Sequence, residues 1–124
     1  GGQKSQNYLY SGSNNIDEVA WYAKNAERKS HPVAQKKPNE LGLFDMTGNL
    51  WEFCQDTMSR TAYTKDPRIN PIIGKADDFT TKAMKVIRGG GYEFNANESQ
   101  VFRRDGATNN VRMPDIGFRL AMSK

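Results

Sequence analysis

The chain has 124 residues, 36% of them hydrophobic, and a formal net charge of +4. A chain of this size forms one domain at most and buries roughly two-thirds of its unfolded surface. Its lysines and arginines are dispersed and not interleaved with aromatic residues, so they predict a solvated basic surface and no nucleic-acid partner. The single cysteine, Cys54, excludes an internal disulfide and a zinc site with two thiolates. We expect no membrane span, because no run of 18 apolar residues occurs, and the first residues do not form a signal peptide.

Secondary structure is weakly signalled along most of the chain. Asn15 or Asp17 can cap a short helix over Ile16–Ala23, where apolar residues recur at helical spacing. Strands are predicted at Lys85–Arg88, Gln100–Arg103 and Ile116–Met122. The rest is predicted as loop, including a long polar connection, Thr57–Asp78, and the ambiguous segment Phe79–Ala83.

The stretch Asn39–Asp56 mixes glycines, carboxylates and a tryptophan in a way that no regular helix or strand requires. Asp45 and Glu52 lie seven residues apart and bracket a turn that contains a glycine. Calcium binds carboxylate and carbonyl oxygens in flexible loops, so this segment is a candidate cation site. The alternative is structural: Asp45 caps a turn, and Glu52 pairs with Arg88 or Arg119.

Three blocks in the chain carry a resemblance to a known family. Residues 38–53, PNELGLFDMTGNLWEF, are similar to the signature of the formylglycine-generating enzyme superfamily, also called sulfatase-modifying factors. RGGGY at Arg88–Tyr92 resembles its RGGS(W/Y) block, and GFRL at Gly117–Leu120 resembles its closing GFR block. The resemblance implies an α+β, irregular C-type-lectin-like fold with short antiparallel strands, little helix and long ordered loops. Family domains are longer, so residues 1–124 are expected to be one domain that represents the C-terminal portion.

The resemblance also suggests which family chemistry is absent. The oxidase members use two cysteines shortly after the RGGS block, bind copper and oxidise a sulfatase cysteine. In this chain the serine of that block is Gly91, and the two cysteine positions are Phe94 and Ser99. Neither residue offers the soft sulfur that Cu(I) prefers, so we expect no copper and no catalytic residues.

The cation site is the property of the family that these residues do support. Carried over position by position, the ligands would be the side chains of Asp45 and Glu52 and the carbonyls of Gly48 and Leu50. We therefore expect Ca²⁺ as the one cofactor.

The resemblance predicts a non-catalytic binding or scaffold module of bacterial origin. Its ligand, an unknown protein or glycan, would contact the walls of the former active site, namely Trp51, Gly91, Tyr92, Phe94, Ser99 and Arg103. A partner could also be the missing N-terminal half of the domain. The family suggests a periplasmic, cell-surface or secreted location. Two alternatives stay open: a diverged sulfatase-maturing oxidase, and a ligand-binding variable protein of a diversity-generating retroelement with its variable segment within residues 93–115.

Overall fold

The computed structural model describes residues 2–59 and 84–121, so most of the predicted long connection and all of Phe79–Ala83 lie outside the described residues. The helix α1 is Ile16–Val19, and the strands are β1 Trp51–Thr57, β2 Met84–Arg88, β3 Asp105–Thr108 and β4 Ile116–Gly117. Short 3-10 turns cover Gly2–Lys4 and Ala96–Ser99. Among the described residues, no helix has the length and hydrophobicity needed to cross a bilayer.

The helix α1 begins where the sequence predicts and ends earlier. Asn15 is the N-cap, and its side chain accepts a hydrogen bond from the main-chain N–H of Asp17 at 3.2 Å. Ala20 already has an extended backbone, so the helix does not reach Ala23. The side chain of Asn25 explains the early end, because it bonds the carbonyl of Ala20 and the N–H of Tyr22 and so replaces further helical hydrogen bonds.

The four strands form one sheet in the order β3-β2-β1-β4. The strand β2 pairs antiparallel with both β1 and β3, whereas the two-residue β4 pairs parallel with β1. The sheet is therefore mixed, with little helix around it and long loops between its strands, in agreement with the predicted fold class.

The strand predictions were only partly correct. The predicted strand at Lys85–Arg88 is confirmed as part of β2, and the last strand is shorter than predicted. The prediction at Gln100–Arg103 was wrong, because this segment forms a turn in which Arg103 N donates to the carbonyl of Gln100. The central strand β1 was not predicted at all, since its second half is polar.

Within residues 2–59 and 84–121, two small hydrophobic cores flank the long loop that runs into β1. One contains Tyr10, Ile16, Val19, Ala20 and Tyr22. The other contains Trp51, Ile87 and Ala107 on the sheet, with further apolar side chains packed against them. The segment between Asp45 and Leu50 crosses from the first core to the second, and this crossing places the candidate site.

Candidate functional site

The turn at Gly48 is held tightly between two distant parts of the chain. Gly48 N donates to the carbonyl of Gly89 at 2.8 Å, and Asn49 N donates to the carbonyl of Trp21 at 2.7 Å. Gly48 has a φ of +74°, and a Cβ atom there would lie 2.3 Å from the Trp21 carbonyl oxygen. Only glycine fits this position, which explains the glycine that the sequence places between the two candidate ligands.

Two asparagines that sequence reasoning did not single out position this loop. Asn49 is buried, and its side-chain amide accepts from the N–H of His31 at 2.9 Å and donates to the carbonyl of His31 at 3.0 Å. Asn39 is also buried, and its side-chain oxygen accepts from the N–H groups of Leu41 and Leu43. An asparagine beside a glycine is a turn signal, and this signal could have identified Asn49.

Asp45 presents one carboxylate oxygen that has no hydrogen-bond partner. Its residue is 9% exposed, and Oδ2 accepts from the N–H of Ala34 at 2.8 Å. Oδ1 is buried and makes no hydrogen bond among the described residues. A buried carboxylate oxygen without a partner is unfavourable unless a cation or donor satisfies it. The position of this oxygen therefore fits a cation ligand.

Glu52 is engaged by an arginine. Arg119 donates from Nε to Oε2 at 2.6 Å and from Nη2 to Oε1 at 2.5 Å, so the pair is bidentate. Arg119 also donates to the carbonyls of Phe44 and Asp45, each at 3.1 Å. The hydrogen bonds with Glu52 raise the pKa of Arg119. The structure thus has one of the two arginine pairings that the sequence left open.

The predicted calcium ligands lie on one short segment, and calcium binding stays a prediction. Two of the four are main-chain carbonyls, those of Gly48 and Leu50, and neither accepts a hydrogen bond within the described residues. In the parts of the chain that the structure describes, no three side chains of His, Cys, Asp or Glu cluster as a metal site would require. A cation here would depend on carbonyl oxygens, as calcium ligation allows.

The second candidate region, around the two former cysteine positions, is packed with side chains. Phe94 meets Trp51 edge to face, with ring centroids 5.3 Å apart and planes at 85°. A Cβ atom on Gly91 would lie 3.1 Å from Cδ1 of Trp51 and 3.3 Å from Cδ2 of Phe94. Trp51 itself is only 4% exposed. These three predicted pocket walls therefore come together in direct contact with one another.

Ser99 and Tyr92 complete this packed region. Ser99 is 1% exposed, and its hydroxyl donates to the carbonyl of Asn95 at 3.4 Å. Gly90 has a φ of +80°, and a Cβ atom there would lie 2.3 Å from Oγ of Ser99. Tyr92 is buried, and its N–H donates to the carbonyl of Asn49 at 2.9 Å, which ties the region to the loop.

Arg103 and Cys54 lie apart from this packing. Arg103 is exposed, and its main-chain carbonyl accepts a hydrogen bond from Nη1 of Arg88 at 3.4 Å. Cys54 lies in β1, and burial raises the pKa of its thiol, so little thiolate is present at neutral pH.

One cavity among the described residues lies beside the loop. It has a volume of about 550 Å³. Asp45, Glu52 and Arg119 form its charged part, and its apolar walls include Val33, Leu43, Phe44, Leu50 and Phe118. The open space therefore adjoins the candidate cation ligands and does not involve the predicted pocket residues of the packed region.

This fold and its signature loop place the chain in a defined class. Residues 1–124 match the family described as the sulfatase-modifying factor enzyme 1-like domain. The chain belongs to this family, which confirms the relationship to the formylglycine-generating enzyme superfamily.

Characterised relatives and solved structures agree with this assignment. The chain is 34% identical to the chaperone protein LppX of Paenibacillus barcinonensis, over 100% of the chain and 45% of that protein. It is 32% identical to the formylglycine-generating enzyme of Streptomyces coelicolor, over 80% of the chain and 31% of that protein. Treponema denticola variable protein 1 superposes with a TM-score of 0.73 and 30% identity, over 94% of the chain and 41% of that structure. PvdO of Pseudomonas aeruginosa, with a TM-score of 0.70 and 24% identity over 84% of the chain and 39% of that structure, shares the fold.

The chain thus spans less than half the length of the relatives it matches.

Proposed function

We propose that the chain is a non-catalytic member of its family that acts as a binding or scaffold module. One observation carries this proposal: the two positions where the oxidases have cysteines are Phe94, which packs half-buried against Trp51, and Ser99, which is buried. Neither side chain supplies a thiolate, and the contact between Phe94 and Trp51 leaves little room for a peptide substrate.

The competing function, sulfatase maturation, can be tested directly. The protein is incubated with Cu(I), oxygen and a Cys-x-Pro-x-Arg peptide, and the peptide mass is followed. We expect no change in mass, whereas the Streptomyces coelicolor relative, as positive control, should convert the cysteine to formylglycine. Turnover by this chain above a no-protein blank would overturn the non-catalytic proposal.

We further propose that the loop from Asp45 to Glu52 binds one structural Ca²⁺. The unpartnered Oδ1 of Asp45 and the carbonyls of Gly48 and Leu50 support this proposal. The ion would stabilise the loop by satisfying these oxygens at once. Calorimetric titration with Ca²⁺ should show saturable heat, and EDTA should lower the melting temperature. An Asp45→Asn variant should bind more weakly, and a chain that shows no heat and no EDTA effect would contradict the proposal.

The exposed loop surface within residues 93–115 is the proposed ligand-binding face. Phe102 is 64% exposed, Met113 53% and Val101 48%, on loops that a rigid sheet supports. Exposed aromatic and apolar side chains on supported loops are typical of recognition surfaces. The likeness to a variable protein of Treponema denticola favours this reading. Glycan and protein arrays should yield ligands whose binding is lost in a Phe102→Ser/Met113→Ser variant; ligands bound equally by both would rule out this face.

A further polypeptide of the domain is a second proposed partner. We also propose an extracytoplasmic location for the protein, as its family suggests. Support comes from the exposed apolar residues Val33, Phe118 and Leu120, which are 76%, 76% and 91% exposed. Val33 and Phe118 line the same cavity, and large exposed apolar patches mark interaction sites. Circular dichroism with a thermal melt tests the idea: a broad, non-cooperative melt supports it, and a sharp two-state melt of this chain alone contradicts it. Cell fractionation tests the location.

A further inference from the structure

The positively charged guanidinium of Arg119 lies beside the proposed calcium ligands. Its guanidinium makes four hydrogen bonds, two to the carboxylate of Glu52 and one each to the carbonyls of Phe44 and Asp45. It therefore joins the C-terminal segment, residues 118–121, to the loop. The neighbours of Arg119 in this segment, Phe118 and Leu120, are highly exposed.

The charges around the loop do not accommodate both the Arg119 guanidinium and a divalent metal ion well. Asp45 and Glu52 contribute two negative charges, and Arg119 contributes one positive charge within hydrogen-bond distance of Glu52. A divalent ion bound by Glu52 would lie within a few ångströms of the guanidinium, where like charges in a partly buried site repel strongly. The carboxylate oxygens that the ion would use are the ones that Arg119 already holds.

We infer that Arg119 competes with the divalent cation for Glu52, so that cation binding releases residues 118–121 from the loop. This inference rests on the calcium site proposed above and adds its regulation. Phe118 and Leu120 move with Arg119, because they flank it in the chain. Calcium thereby controls whether residues 118–121 are held against the loop through Arg119.

Calcium titrations of three proteins test the competition. Arg119→Gln removes the competing charge and should bind Ca²⁺ about tenfold more tightly than the wild type. Arg112→Gln is the matched control: Arg112 is exposed, its side chain has no partner within the described residues, and its removal changes the net charge equally. The control should bind as the wild type does. Equal or weaker binding by Arg119→Gln overturns the competition while leaving the calcium site in place. Absence of binding in all three proteins overturns the calcium site itself.

Hydrogen exchange of the wild-type protein supplies a readout that does not depend on a variant folding. The Nε–H of Arg119, which donates to Glu52, should exchange faster with Ca²⁺ than with EDTA, while the amides of β2 should not. Unchanged or slower exchange on adding Ca²⁺ to a wild-type protein that binds it would overturn the release.

Discussion

The loop from Asp45 to Glu52 and the segment from Gly90 to Ser99 share one kind of backbone support but differ in how their side chains are engaged. Both depend on a glycine with positive φ pressed against a neighbouring residue. In the loop, the Glu52 carboxylate is paired with Arg119, and Oδ1 of Asp45 has no hydrogen-bond partner within the part of the chain that the structure describes. In the segment, a ring contact and a buried serine fill the space. The difference teaches that the backbone frame of this family does not require its catalytic side chains.

The largest loss of stability is expected when a side chain is added at Gly48. This substitution tests how strongly the loop depends on its close contact with Trp21. Gly48→Ala should lower the free energy of unfolding by about 3–5 kcal/mol, because strain at positive φ adds to a clash with the Trp21 carbonyl. Gly42 has a similar φ of +77° but no atom within 4 Å of an added Cβ. Gly42→Ala should therefore cost only about 1 kcal/mol. Urea denaturation measures both, and equal losses would show that the close approach is unimportant.

The packed segment is tested by truncating Phe94. Phe94→Ala should cost about 2 kcal/mol, because the ring loses its contact with Trp51 and a cavity remains. The exposed Phe102 offers the matched control, and Phe102→Ala should stay within about 0.5 kcal/mol of the wild type. Acrylamide quenching of tryptophan fluorescence should increase in Phe94→Ala alone. If neither stability nor quenching changes, the segment is not packed as described.

A smaller effect concerns the first core, which supports the loop through Trp21. Tyr22 is buried, its hydroxyl donates to Asp17 at 2.8 Å, and burial, followed by the effect of Asp17, raises its pKa from 10.0 to about 12. The folded state therefore favours the neutral phenol, and this stabilisation is complete below about pH 10 and lost as the pH rises to about 12. Melting temperatures across this range should fall in the wild type and in Tyr8→Phe, and fall less in Tyr22→Phe. An identical decline in all three proteins would show that groups other than Tyr22 cause the loss of stability at alkaline pH.

The residues that carry the fold's signature could be recognised from the sequence, because their chemistry is local. Gly48 is needed where the backbone has positive φ and approaches Trp21, and Asn15 caps α1 with its own side chain. The strand β2 was predicted correctly since its apolar residues are buried in the centre of the sheet. Strands β1 and β3 were not predicted, because their polar residues and a glycine have low strand propensity. They form strands because both pair with β2.

By itself, the sequence determined the family blocks, the absence of the cysteine pair at Phe94 and Ser99, and the carboxylates at Asp45 and Glu52. Tertiary structure alone decided that Phe94 packs against Trp51 and that Arg119 holds Glu52. It also decided that Oδ1 of Asp45 has no hydrogen-bond partner among the described residues. The reason is physical: residue identity is written in the chain, but partners 67 residues apart, such as Glu52 and Arg119, meet only when the parallel pairing of β4 with β1 brings them together.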